Sequence, residues 1–262
     1  DSYGSRGLGD VYKRQVIRSS AFDSRASSDS ERMTLDGAVN KTAIMLAILI
    51  STAAISWNFP SPFIVMLSYI GIFAAAIASV VTFGFWMPFI GFIINPRPYL
   101  APKTWLVFAF GEGFFIGLIS LSFETMFPGI VLEAVSLTFC VAATLLFLYK
   151  SGIVKPSQNF VLMVCSAVFG IFLFYIGTLI YSLVTGVSPE IFSGSSNASI
   201  GLSLFIVAMA AFSLVLDFDI IEQSAEYGSP KYMEYFGAMA LVTTLIWLYI
   251  EILRLLAKFR SR

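Results

Sequence analysis

The chain contains no histidine and few charged residues, with only 12% of its 262 residues being Asp, Glu, Lys or Arg. Soluble domains carry about 25% charged residues, because a folded surface in water needs roughly that much charge. With 58% hydrophobic residues, most of this surface must face something other than water. The lack of histidine excludes HExxH metalloproteases and leaves carboxylates as the groups for any proton sensing near neutral pH.

Cysteine and net charge exclude further classes of function. Cys140 and Cys165 both lie inside apolar runs, where a free cysteine packs as a small hydrophobic residue. The net charge is +0, so no basic surface favours nucleic acid. Since the chain also has no GxSxG, P-loop or Cys/His zinc spacing, we expect a protein that is not an enzyme and needs no cofactor.

Before the apolar part of the chain come two stretches of different composition. Residues 1–15 share neither composition nor pattern with the rest of the chain and are predicted to be a non-native leader. The next stretch is rich in Ser, Arg and Asp, which predicts a disordered cytoplasmic arm over residues 16–40. The remaining residues, 41–262, are predicted to form a single membrane domain.

Seven apolar runs are each about as long as the roughly 20 residues that a helix needs to cross a bilayer. They are continuously apolar rather than alternating, so the fold class is all-α: a polytopic membrane protein built as a seven-helix bundle. After the second run, Pro88 should kink or break any helical extension, and the Gly113–Gly117 spacing predicts close helix packing. The predicted spans are 41–58, 62–83, 104–123, 130–149, 160–184, 200–221 and 235–256.

Basic residues orient these spans, because cytoplasmic loops are enriched in Lys and Arg. The first, third and fifth linkers contain neither, whereas the other linkers and the arm do, which predicts a cytoplasmic N-terminus. Seven crossings would place the C-terminal tail outside, although its last turns are basic. Either the last segment dips in and returns, or it crosses despite its charge, and we expect crossing because 235–256 is long enough. The basic residues concerned are Arg254, Lys258, Arg260 and Arg262.

Carboxylates inside or at the ends of the apolar runs are the candidate functional groups. An ionised side chain at mid-membrane costs at least ~2.5–3.5 kcal/mol, so it should face the bundle interior and mark a site or pathway. Within the predicted spans Arg254 is the lone basic residue besides Lys41 at the very start, so these acids must be protonated, hydrated or bound to a cation. They are Glu112, Glu124, Glu133, Asp217, Asp219, Glu222 and Glu251.

Position distinguishes the first three of these acids. Glu112 lies midway along the third run, and it is either part of an ion pathway or a neutral carboxyl bonded to a neighbouring helix. Glu124 and Glu133 lie near the outer ends of the third and fourth runs, where hydrated helix termini are expected.

The remaining acids lie in the last two runs. Asp217, Asp219 and Glu222 form either an ion pathway or a solvated rim at the inner end of the sixth run, and a hard cation such as Ca²⁺ could bind Asp217 and Asp219. Glu251 and Arg254 have the i, i+3 spacing of an ion pair.

Three stretches resemble the bacterial branch of the Bax inhibitor (transmembrane Bax inhibitor motif) family. They are ERMTLDGAVNKTAIML near the start, FGEGFFIGLIS in the third run, and LVLDFDIIEQSAEYGSPKYMEYFGAMALVTTLIWLYIEILRLL at the end. The resemblance implies a seven-helix bundle whose last helix is surrounded by the others. It also implies a pH-sensitive Ca²⁺ leak gated by an acid pair on the sixth and seventh helices, in a bacterial inner membrane.

On this resemblance the sixth-helix acid corresponds to Asp217 or Asp219, and the seventh-helix acid to Glu251 in Leu-Tyr-Ile-Glu, where Glu replaces the family's Asp. Measured from the turn at 228–230, Asp217 and Glu251 should differ in depth by roughly 15 Å. A second hypothesis is a non-conducting regulator that binds another membrane protein, such as a membrane protease, through the basic arm and linkers.

Overall fold

A computed structural model describes residues 32–83 and 97–262. The predicted leader, residues 16–31 of the predicted arm and the extension with Pro88 lie outside the described residues. Seven long helices within the described ranges are apolar enough to cross a membrane, which confirms the predicted all-α, polytopic fold and implies a lipid bilayer environment. They are α1 (Leu35–Asn58), α2 (Pro62–Phe83), α3 (Ala101–Met126), α4 (Ile130–Lys150), α5 (Gln158–Thr185), α6 (Asn197–Glu226) and α7 (Tyr232–Arg260). A 3₁₀ turn at Pro98–Leu100 precedes α3, and a single-turn helix at Glu190–Ser193 precedes α6.

The first helix begins at Leu35, inside the stretch predicted to be a disordered arm. Thr34 is its N-cap, and its hydroxyl accepts a hydrogen bond from the Gly37 amide at 3.0 Å. Asp36 adds an acidic side chain to the first turn, where the helix dipole favours it. The predicted boundary at residue 40 was therefore wrong for residues 35–40, because it followed hydropathy and ignored the cap.

The last helix is the most enclosed, as the resemblance implied. In its most apolar window 56% of the residues of α7 are buried, against 17% for each of α2, α4 and α5. It packs against α1, α3, α4 and α6. Its buried residues include Ala238, Val242 and Leu253, so α7 forms the centre of the bundle.

Glycines allow α3 to lie directly against α1. A Cβ on Gly113 would lie 1.9 Å from Thr52 Oγ1, and one on Gly117 would lie 2.0 Å from Ser56 Oγ. Neither distance is possible for real atoms, so both positions require glycine. The close packing predicted from the Gly113–Gly117 spacing is therefore present, and α1 is the partner helix.

The bundle has two ends, which α7 connects without interruption. At the arm end, Arg32 forms an antiparallel bridge with Pro230, just before α7 begins. At the tail end, Arg260 donates hydrogen bonds to the Pro128 carbonyl at 2.7 Å and to Glu133 at 2.6 Å. Because α7 runs from one end to the other, the alternative in which the last segment dips in and returns is wrong.

Candidate functional site

The Asp217 carboxyl lies at the interface of α6 and α7. Its Oδ2 atom is buried and has no hydrogen-bond partner among the described residues. Thr244 of α7 is the side chain of that helix that acts on the same carboxyl, while its hydroxyl donates a hydrogen bond to the Ala240 carbonyl of its own helix at 3.2 Å. Leaving a buried acceptor unsatisfied costs about 1–3 kcal/mol, so this oxygen is a point at which water or a cation would be stabilised.

Two further α6 acids face a different helix. The Tyr149 hydroxyl, from the last turn of α4, donates to Asp219 Oδ1 at 3.3 Å and to Glu222 Oε2. Gln223 Nε2 also donates to Asp219 Oδ2 at 2.5 Å. Since Asp217 faces α7 while Asp219 and Glu222 contact α4, the three acids do not converge on one point.

This divergence bears on the expected Ca²⁺ ligands. The described residues contain no group of three or more His, Cys, Asp or Glu side chains that could hold a metal ion. Asp217 and Asp219 lie two residues apart on one helix and therefore point in nearly opposite directions. The Ca²⁺ site suggested at Asp217 and Asp219 stays a prediction, with the two carboxyls on different faces of α6.

Glu251 belongs to a separate polar cluster nearer the tail end. Its side chain is 2% exposed and accepts hydrogen bonds from Arg254 Nη1 at 2.9 and 3.1 Å. Tyr175 of α5 donates a third hydrogen bond at 2.7 Å. The Arg254 guanidinium also lies over the Phe192 ring, 4.6 Å from its centre. The i, i+3 spacing thus forms an ion pair, which is tied to α5 as well.

Asp217 and Glu251 lie at different depths in the bundle. Thr244, the α7 neighbour of Asp217, precedes Glu251 by seven residues, which is about 10 Å along a helix. The predicted separation of roughly 15 Å was larger, but it had the same consequence. The two carboxyls do not form an acid pair, and of the two α6 candidates it is Asp217 that faces α7.

The three acids of α3 and α4 have separate positions. Glu124 accepts hydrogen bonds from the Gly129 and Val131 amides at 2.6 and 3.2 Å, and so caps the start of α4. Glu133 pairs with Arg260 at the tail end. Glu112 is half-buried on α3, between two glycines that are buried against α1 and α2.

Sequence reasoning missed a buried ion pair at the arm end. Glu234 of α7 is 2% exposed and accepts a 2.5 Å hydrogen bond from the Lys41 ammonium. Thr34 donates to the same carboxylate from its amide at 3.0 Å and its hydroxyl at 3.2 Å. The pair was missed because Glu234 precedes the predicted span and Lys41 was counted as a topology signal. The helix cap at Thr34 was the available clue.

Comparison with known proteins assigns the whole bundle to one group. A family model described as Bax inhibitor 1 like matches residues 14–261. No curated protein and no solved structure matches the chain.

Proposed function

The chain belongs to the Bax inhibitor 1 like family, and on that premise we propose that it is a pH-modulated cation leak. The permeant ion is Ca²⁺, and the protein is a multi-pass component of a bacterial inner membrane with its N-terminus in the cytoplasm. It performs no enzymatic reaction and holds no cofactor. The cytoplasmic position of the N-terminus is supported by the Lys and Arg residues of the second, fourth and sixth linkers, because cytoplasmic loops are enriched in these residues.

The observation that carries the proposal is the unsatisfied Oδ2 atom of Asp217. In a lipid-embedded bundle, a buried polar atom without a partner is costly, and acids in such places are characteristic of ion and proton pathways. Thr244 provides one neighbouring hydroxyl, which leaves the second oxygen available for a passing cation or water. Asp217 is therefore the proposed ion-pathway acid.

Protonation supplies the proposed modulation by pH. A neutral Asp217 carboxyl and an ionised one attract a cation very differently, because the charge is the main source of that attraction. The chain has no histidine, so carboxylates are the groups that respond near neutral pH. Replacing Asp217 by Asn should remove its share of the pH dependence.

The test measures Ca²⁺ entry into dye-loaded proteoliposomes from about pH 5 to about pH 8, where shifted carboxyls titrate. Asp217→Asn is expected to flatten the pH profile, whereas the exposed control Glu226→Gln should keep it. The same series includes Asp219→Asn, Glu112→Gln and Glu251→Gln, which separate the other acids from Asp217. No flux at any pH, or a profile that no variant changes, would overturn the proposal.

A second candidate function is a non-conducting regulator that binds another membrane protein. It is favoured by the position of the arm, because Arg32 and Met33 contact the linker at Ser229 and Pro230. The arm and the sixth linker thus adjoin at one end of the bundle. Under this hypothesis, deleting residues 1–34 abolishes the effect on a co-reconstituted membrane protease, while Asp217→Asn leaves that effect intact.

A further inference from the structure

We propose that Glu234 and the start of α1 form a latch that keeps an apolar seal closed between Asp217 and the arm end. This inference rests on the proposed cation leak and identifies where that leak is closed. Two observations carry it: the packing of four buried apolar side chains, and the hydrogen bonds that hold the Glu234 carboxylate beside them.

The seal lies one helical turn from Asp217. Ile221 comes four residues after Asp217, which places it about 6 Å nearer the arm end. It packs with Met33, Ala38 and Met233, and all four side chains are at most 8% exposed. These residues come from the arm, α1, α6 and α7. Apolar constrictions close channels by excluding water, and this packed cluster is assigned that role in the proposed leak.

The latch consists of the Glu234 carboxylate and the groups of Thr34 and Lys41 that bind it, which together form the cradle. Glu234 is the residue after Met233, and it accepts hydrogen bonds from the Thr34 amide, the Thr34 hydroxyl and the Lys41 ammonium. The amide and hydroxyl belong to the N-terminus of α1, where the helix dipole favours an anion. Glu234 therefore joins α7 to α1 directly beside the seal.

Glycine at residue 37 makes room for this carboxylate. A Cβ on Gly37 would lie 2.1 Å from Glu234 Oε1, so any larger residue must displace the acid. One turn further along α7, a Cβ on Gly237 would lie 2.8 Å from Ile221 Cγ1. Close contacts thus connect the cradle to α7, and α7 to the α6 turn that carries Ile221.

The sixth linker holds the arm over the seal. Met33 donates its amide to the Ser229 carbonyl at 2.8 Å, and Arg32 bridges to Pro230. Met33 is itself a seal residue. Releasing Glu234 should therefore loosen the arm, α1 and α7 together, because breaking a buried ion pair leaves an uncompensated charge.

The first experiment compares Glu234→Gln with the exposed control Glu226→Gln. Glu234→Gln is expected to raise Ca²⁺ flux on the order of tenfold, since losing a buried pair shifts a closed–open balance strongly. Glu226→Gln should match the native chain. Equal flux in Glu234→Gln and the native chain would overturn the latch while leaving the proposed leak standing.

A second variant keeps the charges of Lys41 and Glu234 but fills the space beside residue 37 that the Glu234 carboxylate occupies. Gly37→Ala should raise flux as Glu234→Gln does, although alanine favours the helix more than glycine. The double variant should show no further increase, because both changes release the same contact. Additive effects would mean that Gly37 and Glu234 act separately and would overturn the shared cradle.

A reversible cross-link between the arm and the sixth linker tests whether fixing the arm closes the leak again. Arg32→Cys and Pro230→Cys, in a chain with Cys140→Ala and Cys165→Ala, place cysteines at bridged positions, about 4.5–5.5 Å apart between Cα atoms, within disulfide range. Oxidation should return the flux of Glu234→Gln to the native level, and reduction should raise it again. A flux that ignores oxidation would contradict the role of the arm.

Thiol labelling separates failure of the latch from failure of the leak. Ala38→Cys, in the cysteine-free chain, places a thiol in the seal, where Ala38 is 1% exposed. Adding Glu234→Gln should speed its reaction with a water-soluble maleimide on the order of tenfold, and adding Glu226→Gln should not. Faster labelling without any flux would refute the leak and retain the latch, whereas unchanged labelling would refute the latch.

Discussion

The two ends of α7 are both fixed by ionic contacts, but with opposite signs of charge. At the arm end the helix contributes an acid, Glu234, which α1 holds through Lys41 and Thr34. At the tail end it contributes bases: Lys258 donates to Ser203 Oγ at 2.8 Å, and Arg260 pairs with Glu133. Acids near a helix start and bases near its end complement the helix dipole.

Between these ends lies Asp217, opposite Thr244, with an oxygen that no described residue satisfies. The two ends of α7 thus hold the bundle through satisfied polar contacts, whereas its middle lies beside an unsatisfied α6 oxygen that is available to an ion. The tail-end contacts also explain the basic C-terminal tail, since carbonyls, hydroxyls and Glu133 receive its charges. Substitutions in each part test this division, from the largest expected effect to the smallest.

Removing the Lys41 ammonium at the arm end should have the largest effect on stability. Lys41→Met leaves the Glu234 carboxylate buried without its ion-pair partner, which costs up to about 3–5 kcal/mol. Thermal unfolding in detergent measures the loss. The double variant Lys41→Met with Glu234→Met should recover much of it, because no buried charge is left unpaired. A double variant as unstable as the single one would show that packing, not charge, is lost.

Filling the glycine contact between α1 and α3 should come next. Gly113→Ala forces a methyl group to within 1.9 Å of Thr52 Oγ1 and 2.6 Å of the Leu49 carbonyl, and overpacking of this kind costs about 1–3 kcal/mol. Gly170→Ala on α5 is the matched control, because a Cβ there meets nothing within 4 Å. Unfolding temperatures that fall equally in both variants would contradict the packing argument.

In the middle of α7, removing the hydroxyl beside Asp217 should have a smaller effect on stability. Thr244→Val keeps the shape of the side chain and removes one hydrogen-bonding group, which costs about 1 kcal/mol. The pH midpoint of Ca²⁺ flux should move, because Thr244 stabilises one protonation state of Asp217 more than the other. Thr243→Val is the matched control, because both hydroxyls bond a carbonyl of their own helix, at 2.7 Å for Thr243 and 3.2 Å for Thr244. Thr243 is exposed and Thr244 is the one beside Asp217, so Thr243→Val should leave that midpoint unchanged.

The smallest effect is expected at the exposed tail-end pair. Arg260 and Glu133 have side chains that are 31% and 52% exposed, and exposed ion pairs contribute about 0–1 kcal/mol. Glu133→Gln should therefore change the unfolding temperature little, and less still at high salt. A decrease in unfolding temperature as large as that of Lys41→Met would show that the two ends of α7 contribute equally to stability.

Some of the site could be predicted from spacing alone. The i, i+3 relation of Glu251 and Arg254 predicts a pair because both residues lie on one helix face, and the two-residue spacing of Asp217 and Asp219 predicts side chains that diverge. The Lys41–Glu234 pair, in contrast, joins residues 193 positions apart. No local pattern connects them, because their meeting depends on how α1 docks against α7.

The sequence by itself determined the number, order and helical nature of the spans. In lipid each spanning segment must satisfy its own backbone hydrogen bonds, so long apolar composition is enough to specify a helix. Only the tertiary structure decided which acid faces which helix: Asp217 towards Thr244, Asp219 and Glu222 towards Tyr149, and Glu234 into the cradle of α1. These contacts depend on the rotation and depth of each packed helix, which arise from side chains distant in sequence meeting in the folded bundle.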